Sequence, residues 1–570
     1  MTPPPDGVSA DPRPTRRGFL GLVGLSAASL AGGGLLSACS TPAGRRPGSG
    51  GATAAAADKL KSLTPSFVPF QGVKPDIPGV TSTLLGVPDV GGGFLTYPSN
   101  LADAVPGTAG KGGSYKAMTP LWGPPPPGLA DNAYFQACNA DIGATIEFQI
   151  ADGNTYGDKA TARLAAGDIP DLMVIPQWEI EKMADFNLAV DKAFEDLTPY
   201  LQGDKAKAYP MLAALPTAAW TFSVFNGKLM SVPFPTEPFP YALLYRKDLF
   251  DEHGDWALPK TADELFELGK TITDAKAKRW AFGDIHEMVW PIFKVPQEWR
   301  YEGGKLVFKY ETPEWEQMIA FMRKLFDAKL IHPNVVSSSR SANEKDLFAS
   351  GQIVMYRDGL GAWKELLQQH RGKNPDFAIG ALPLFSHDGS TPIMYHNSPA
   401  GIFTFVKKGL GKDRTAEILS ILNWCAAPFG SKEYELATYG VEGKHFTRDA
   451  KGVPQYTDLG RKEAQPSYVF LGGRPIVADY VTFPDAVQGN LGWQKNSFQY
   501  IEKTPLDGIR HQRPSRMAGL QIPTEDKFTD IMRGRRPVSD IKQIVAEWRR
   551  DGGDEARDFY MKVLRDNGRA

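Results

Sequence analysis

Apolar and polar positions alternate in "ATIEFQIA", where Ile146, Phe148 and Ile150 share one face, the period of a half-buried strand. Around it the period changes repeatedly. "YKAMTPLW" reads as a strand ending at a proline-rich loop, "DNAYFQACNADI" and "TYGDKATARLAAGD" carry helical spacing, and "DLMVIP" is an apolar strand. This strand-helix-strand-helix-strand order predicts a mainly parallel sheet covered by helices. Such sheets hold ligands at the carboxyl ends of their strands. Two of those ends, "LWGPPPPG" and "PQWE", carry tryptophans, Trp122 and Trp178.

Farther along, "FNGKLMSVPFPTEPFPYALLYRKDLF" joins a hairpin turn to strands interrupted by prolines, which suits a crossing between lobes better than a central strand. In "LPKTADELFELGKTIT", Thr261 precedes Glu264 by three residues, the spacing of a capping box. "EGGKLVFKY" predicts a hairpin arm, and "TPEWEQMIAFMRKLFDAKLIHP" a long amphipathic helix closed by Pro333. "KDLFASGQIVMYRDGLGAWKELLQQH" reads helix, glycine turn, strand, glycine-rich loop, helix. Trp315, Trp548, Cys138 and Cys425 stand at helical spacing to apolar neighbours and are expected in the core. A disulfide between the two cysteines stays open, because spacing does not set their distance. Residues 59–113, rich in Pro and Gly without sustained periodicity, are expected to form an extension lying on the surface.

The N-terminal segment has its own grammar. Arg16 and Arg17 precede Phe19, Leu20 and an uncharged run from Gly18 to Leu36, whose glycines make it a poor spanning helix. A charged start, an apolar middle and small residues before a cut site are the parts of an export signal. The arginine pair resembles a twin-arginine signal. "LSAC" resembles the lipobox of bacterial lipoproteins, in which the cysteine is lipidated and becomes the new N-terminus. A signal peptide over residues 1–38 is therefore expected, with lipidation at Cys39, a flexible Ser/Thr/Pro/Gly/Ala tether over 39–58 and a place on the extracytoplasmic face of the bacterial membrane. A plain cleaved signal and an uncleaved anchor are the alternatives.

Composition then narrows the partners. The chain beyond the tether exceeds one hydrophobic core, so two lobes are expected. A formal net charge of -1 gives no reason to expect nucleic acid or an anionic membrane face as partner. Twelve tryptophans, several beside Gly, Pro and polar residues, suggest surfaces that meet something flat and partly apolar. The phosphate cradle, the HExxH zinc helix, a cysteine-rich zinc pattern, the GxSxG elbow and the calcium loop are all missing, and His286-Glu287 lacks its second histidine. No cofactor, no metal and no enzymatic activity are expected.

"LAAGDIPDLMVI", "NGKLMSVPF", "LLYRKDLFDEHG", "EGGKLVFKYETPEWEQMIAFMRKLFDAKLIHP" and "LFASGQIVMYRDGLGAW" resemble, in this order, segments of extracellular solute-binding proteins of carbohydrate ABC importers. "ATYGVEGKHFT" and "DIMRGRRPVSDIKQIVAEWRRDGGDEARDFY" resemble the larger oligosaccharide lipoprotein branch that includes the aldouronate-transport binding proteins. The resemblance runs from Tyr115 to Leu564 and does not clearly cover residues 59–113. It implies an α/β fold of the periplasmic-binding-protein type II: two lobes of mainly parallel sheet flanked by helices, joined by a crossing-strand hinge. On this reading residues 114–238 and 399–460 form lobe 1, and 239–398 and 461–570 form lobe 2. It implies a monomeric receptor for a carbohydrate, with ABC permease subunits and a separate ATPase as partners.

Sugar binding needs aromatic rings for pyranose C–H faces and planar polar groups for hydroxyls. In lobe 1 the candidates are Trp122, Gln177 and Trp178; in the first crossing, Glu237 and Tyr241; in the return crossing "HNSPAG", Asn397 and Ser398 are weaker candidates. In lobe 2 they are Arg357, Asp358 and Trp363, the last at the place where sugar-binding relatives put a stacking aromatic. Trp299 beside Arg300 is a candidate for the cleft rim. Each has a plainer reading: an aromatic packs the core, Arg357 pairs with Asp358, Glu237 satisfies a hinge amide, Trp299 decorates a hairpin. Two other functions stay open. A surface-anchored glycoside hydrolase needs two carboxylates about 5–10 Å apart across a cleft, and no such pair stands in a recognisable setting. The same fold can take a peptide or an acidic sugar, with Arg300 and Arg357 gripping a uronate carboxylate.

Overall fold

Two sheets, each with its own apolar packing, organise the chain. The computed structural model describes residues 62–82, 87–183, 186–337, 344–507, 509 and 515–570. The expected signal peptide, Cys39 and the tether lie outside the described residues. No helix among the described residues is long and apolar enough to cross a membrane.

The first sheet opens as its periods predict. β1 (Ser114–Leu121) leads to α1 (Ala133–Ile142), which starts where the Asn132 side chain accepts the Phe135 N–H at 2.9 Å and stops at Gly143, whose φ of 73° needs a glycine. β2 (Thr145–Asp152), α2 (Tyr156–Ala166) and β3 (Leu172–Pro176) follow, and β3 is buried throughout, as a strand covered on both faces must be. A two-residue turn at Asn226 and Gly227, both with positive φ, closes a small hairpin before β4 (Ser231–Pro235). Residues 236–241 then carry the chain into the second sheet.

That sheet is built from β5 (Ala242–Arg246), β6 (Trp280–Phe282), β7 (Ile353–Asp358) and β8 (Ile379–Ala381), in the order β6-β7-β5-β8. β6 and β7 are parallel; β5 runs antiparallel to β7 and β8. The Thr261 hydroxyl accepts the Glu264 N–H at 3.1 Å, so the helix Ala262–Ile272 starts where its capping spacing places it. The long helix spans Pro313–Asp327 and ends well before Pro333. Lys329 turns with φ 58°, and residues 330–332 then pair alongside Phe282 of β6. α3 (His286–Ile292) follows β6, and α4 (Gly361–His370) follows β7.

The chain returns through β9 (Ala400–Val406), which inserts antiparallel between β3 and β4 and completes the order β2-β1-β3-β9-β4. α5 (Lys412–Cys425), α6 (Lys432–Tyr439) and α7 (Ser467–Gly472) pack on this first lobe. Tyr468 and Leu471 of α7 are fully buried in its core, so the third crossing falls at residues 473–483, after the boundary at 461 expected from sequence. Beyond it, α8 (Pro484–Ser497) and the C-terminal helices Ile541–Trp548 and Asp554–Asp566 fill the second lobe. Trp315 and Trp548 are core residues, Trp548 stacking on Phe308 at 4.7 Å between ring centres. Cys138 and Cys425 are buried and free.

The extension differs from its expected surface course. Phe94, Tyr97, Ala104 and Ala109 are buried, and the segment hydrogen-bonds along the first lobe at Gly203, Ala213, Gly430 and Ile142. It lacks a readable period because, apart from a short antiparallel pair of Val80–Ser82 with Val87–Val90, it joins the rest of the chain through isolated bridges.

Candidate functional site

Strand direction alone sets where a ligand can sit. β1, β2 and β3 are mutually parallel, and β4 shares their direction because β9 is antiparallel to both β3 and β4. Their carboxyl ends therefore lie on the edge from which residues 236–241 leave. In the second sheet Asp358, at the end of β7, pairs with Ala242, the first residue of β5, and β6 runs parallel to β7. The carboxyl ends of β6 and β7 thus lie on the edge that receives the crossing. Both loop sets flank the same connecting segments, the arrangement in which open α/β sheets bind ligands.

Those segments brace one another. Thr236 N–H donates to Pro399 O at 3.1 Å, Asn397 N–H to Pro238 O at 2.9 Å, and Asn397 Nδ2 to Glu237 O at 3.1 Å, while the Thr236 hydroxyl donates to Ser398 O.

On the first lobe, Trp122 follows β1 and Trp178 follows β3. Their rings lie 5.8 Å apart, and Trp122 also meets Phe470 of α7 edge-on at 5.9 Å. Trp178 is 38% exposed, so an aromatic ledge backed by protein presents one ring to solvent. Gln177 donates to Glu181 at 3.2 Å, and its own buried side-chain oxygen has no partner among the described residues.

The second lobe supplies a polar counterpart. Arg357 donates to Glu287 at 2.9 Å, lies 5.4 Å from the Tyr241 ring centre, and keeps a buried Nε–H without a partner among the described residues. His286 Nδ1 lies 2.5 Å from Asp284, whose backbone N–H donates to Glu344. Burial works against charge on both members of the first pair, yet His286 and Asp284 outweigh it for each other: the imidazole is held above its usual value and the carboxyl below. Burial pushes Glu344 up to about 7. The ledge therefore alternates cation and anion within reach of one another, a pattern that can match the donors and acceptors of a polyhydroxylated ligand. Among the described residues no group of three or more His, Cys, Asp or Glu is placed to hold a metal ion.

Between the two, at the base of the crossings, Asp479 accepts from Lys364 of α4 and from Tyr434 of α6. Burial opposes the Asp479 charge and Lys364 overrides it, so that carboxyl is held low. Glu237, near Asp479, is pushed up to about 7, by burial first and then by the Asp479 charge, with Gln494 of α8 opposing the rise. A half-buried acid with its pKa raised to about 7 sits in the first crossing.

Of the residues singled out from sequence, the structure joins Trp122 with Trp178, Arg357 with Tyr241, and Asn397 with the Glu237 backbone. It places others elsewhere. Trp299, 2% exposed, packs against Phe308 and Tyr560. Trp363, 3% exposed, faces inward, its six-membered ring 3.4 Å from the space beside Gly489. Asp358 accepts from the Tyr356 hydroxyl and the Gly359 N–H, and Arg300 pairs with Glu314 and Glu302. Asp284, Glu344, Lys364, Phe470, Asp479 and Gln494 were not among the expected residues. For Asp284 the signal was available, since "GDIHE" follows β6 as "QWE" follows β3.

Comparison with known proteins agrees with this geometry. The family described as bacterial extracellular solute-binding protein matches residues 124–424. The Bacillus subtilis polygalacturonan/rhamnogalacturonan-binding protein YtcQ is 25% identical over 431 residues, covering 72% of this chain and 83% of that protein. Lipoprotein LipO of the same organism is 23% identical over 488 residues, covering 80% and 90%. Among solved structures, the alginate-binding protein AlgQ2 superposes with a TM-score of 0.59 at 11% identity, over 81% of this chain and 100% of its own. The Streptococcus pneumoniae N-glycan transport solute binding protein NgtS gives 0.56 at 16%, over 80% and 98%. These likenesses establish the fold as periplasmic-binding-protein type II.

Proposed function

The chain belongs to the bacterial extracellular solute-binding proteins, and from that premise we propose that it is a lipid-anchored receptor that captures an oligosaccharide and delivers it to an ABC permease. The observation that carries the ligand class is the Trp122–Trp178 ledge at the carboxyl ends of the first sheet, together with the Arg357–Glu287 and Asp284–His286 pairs at the carboxyl ends of the second. An aromatic surface covers a pyranose face while charged planar groups bond its hydroxyls. Trp122, Gln177, Trp178, Tyr241 and Arg357 are the residues assigned to the ligand, with Glu237 and Asn397 holding the hinge. The lobes divide near residues 238, 399 and 473. Open and closed forms exchange by hinge bending, and a ligand that touches both lobes favours the closed one. Anchoring rests on the "LSAC" cysteine, Cys39, export on Arg16 and Arg17, and the name of the relative LipO supports a lipoprotein. Energy for import comes from a separate ATPase, and the receptor acts as a monomer without catalysis of its own.

Titrating the mature protein with a panel of oligosaccharides, read by tryptophan fluorescence, tests this: saturable quenching or enhancement is expected for at least one sugar, and silence across the panel sinks the ligand class. Release of shorter products from a bound sugar would overturn the non-catalytic reading. An acidic sugar is the second reading, favoured by the Nε–H of Arg357, unpartnered among the described residues, and supported by the names of YtcQ and AlgQ2. On that reading Arg357→Ala weakens uronate-containing sugars by tenfold or more, about 1.5–3 kcal/mol for hydrogen bonds to a charged group, and neutral ones far less. Equal losses for both would remove it.

A further inference from the structure

The third crossing is gripped by a segment that no part of the binding site needs. Gly93 lies between two other stretches of backbone. On one side it exchanges hydrogen bonds with Ile77, at 2.8 and 3.0 Å; on the other, Ala478 N–H donates to Gly92 O and Phe94 N–H donates to Ala478 O, both at 2.9 Å. Ala478 belongs to the crossing, one residue before Asp479.

The glycines allow this approach. A Cβ on Gly91 would stand 1.5 Å from Ile476 O, and one on Gly93 would stand 2.4 Å from Leu491 and 2.9 Å from Val487, both in α8 of the second lobe. Side chains anchor the segment on each flank. Phe94, 4% exposed, packs 4.3 Å from Phe429, and Tyr97 meets Phe429 and Tyr439 edge-on, all on the first lobe. The backbone N–H groups of Ala104 and Val105 donate to Glu433 of α6. Toward the second lobe, Ile77, Val80 and Leu95 pack on its core.

We propose that residues 91–94 form a clasp that ties the second lobe to the first across the third crossing and limits how far the cleft opens. Hinge bending requires backbone rotation in the connecting segments. Ala478 has both its N–H and its C=O committed to the clasp, so rotation there breaks two hydrogen bonds and strips Gly93 from Leu491 and Val487. The other two crossings brace each other through Thr236, Asn397 and Ser398, and the return crossing also donates His396 N–H to Glu502 O; with the third crossing held, bending concentrates in them. The clasp rests on the two-lobed fold and not on the identity of the ligand.

Inter-lobe distances in the ligand-free mature protein, measured between one spin label per lobe, test the clasp. Gly93→Val drives a branched side chain into Leu491 and is expected to shift the mean separation outward by more than about 2 Å, the scale of a domain rearrangement. The double variant Gly93→Val/Leu491→Ala makes room and is expected to restore the wild-type distribution. A folded Gly93→Val with an unchanged or narrowed distribution overturns the proposal. Hydrogen exchange on the unaltered protein provides a second reading: the Phe94 and Ala478 amides are expected to be protected to the level of the sheet cores, and exchange as fast as an open loop would equally overturn it. A chain that binds no sugar leaves this result standing, so the two ideas fail separately.

Discussion

At the scale of single residues, the cleft separates groups by exposure. Trp178 presents its ring to solvent, and Trp178→Ala is expected to weaken sugar binding about tenfold, the loss of one stacking surface at ~1.4 kcal/mol, with little change in folding stability. Trp299→Ala is expected to do the reverse, costing about 3–5 kcal/mol of stability on urea unfolding because it empties a packed aromatic site. Glu237 predicts a pH effect. Its folded value, about 7, lies above the ordinary 4.5, so the folded chain binds the proton more tightly. The stabilisation is complete below pH 4.5 and is lost as pH rises through about 7. Glu237→Gln removes this dependence, and between pH 5.5 and 8.5 the variant is expected to gain on the order of 2 kcal/mol relative to wild type in denaturant unfolding. Parallel pH profiles would mean that the carboxyl is solvated. None of these contrasts was legible locally: Trp178, Trp299 and Trp363 stand beside similar neighbours, and only distant partners such as Tyr560 and Gly489 decide which turn inward.

At the scale of elements, local rules carried far. The capping spacing at Thr261, the paired left-handed residues at Asn226 and Gly227, and the alternation of Ile146, Phe148 and Ile150 each encode their geometry within a few residues. Thr261→Ala is expected to cost about 1 kcal/mol on urea unfolding, since one helix-terminal N–H loses its acceptor. The reading weakened where an element is too short to have a period. β6 is three residues long, yet the loop after it supplies Asp284, and the first turn of α3 supplies His286 and Glu287, to the polar ledge. The helix end at Asp327 escaped for a related reason: Lys329, a residue type without a turn signal, adopts the left-handed conformation because residues 330–332 must pair with β6.

At the scale of the whole molecule, closure is the measurable event. A bound oligosaccharide is expected to reduce the radius of gyration in solution scattering and to raise Tm, by an amount equivalent to about 2.7 kcal/mol at a hundredfold excess over Kd. Stabilisation without compaction would place the ligand on one lobe only. The order of the strands carries a further consequence, for the chain as it is made. β9 lies in the middle of the first sheet but follows the whole of the second in sequence, so the ribosome has to deliver residues past Val406 before β3 and β4 acquire their shared neighbour. The first lobe is thus begun before the second but cannot close until the second sheet has been made, and its closing contacts, such as the Tyr468 hydroxyl on Phe135 O, lie far apart in the chain, a slow class of pairing. Such a protein suits export in the folded state, which is the passage that the arginine pair at its start proposes.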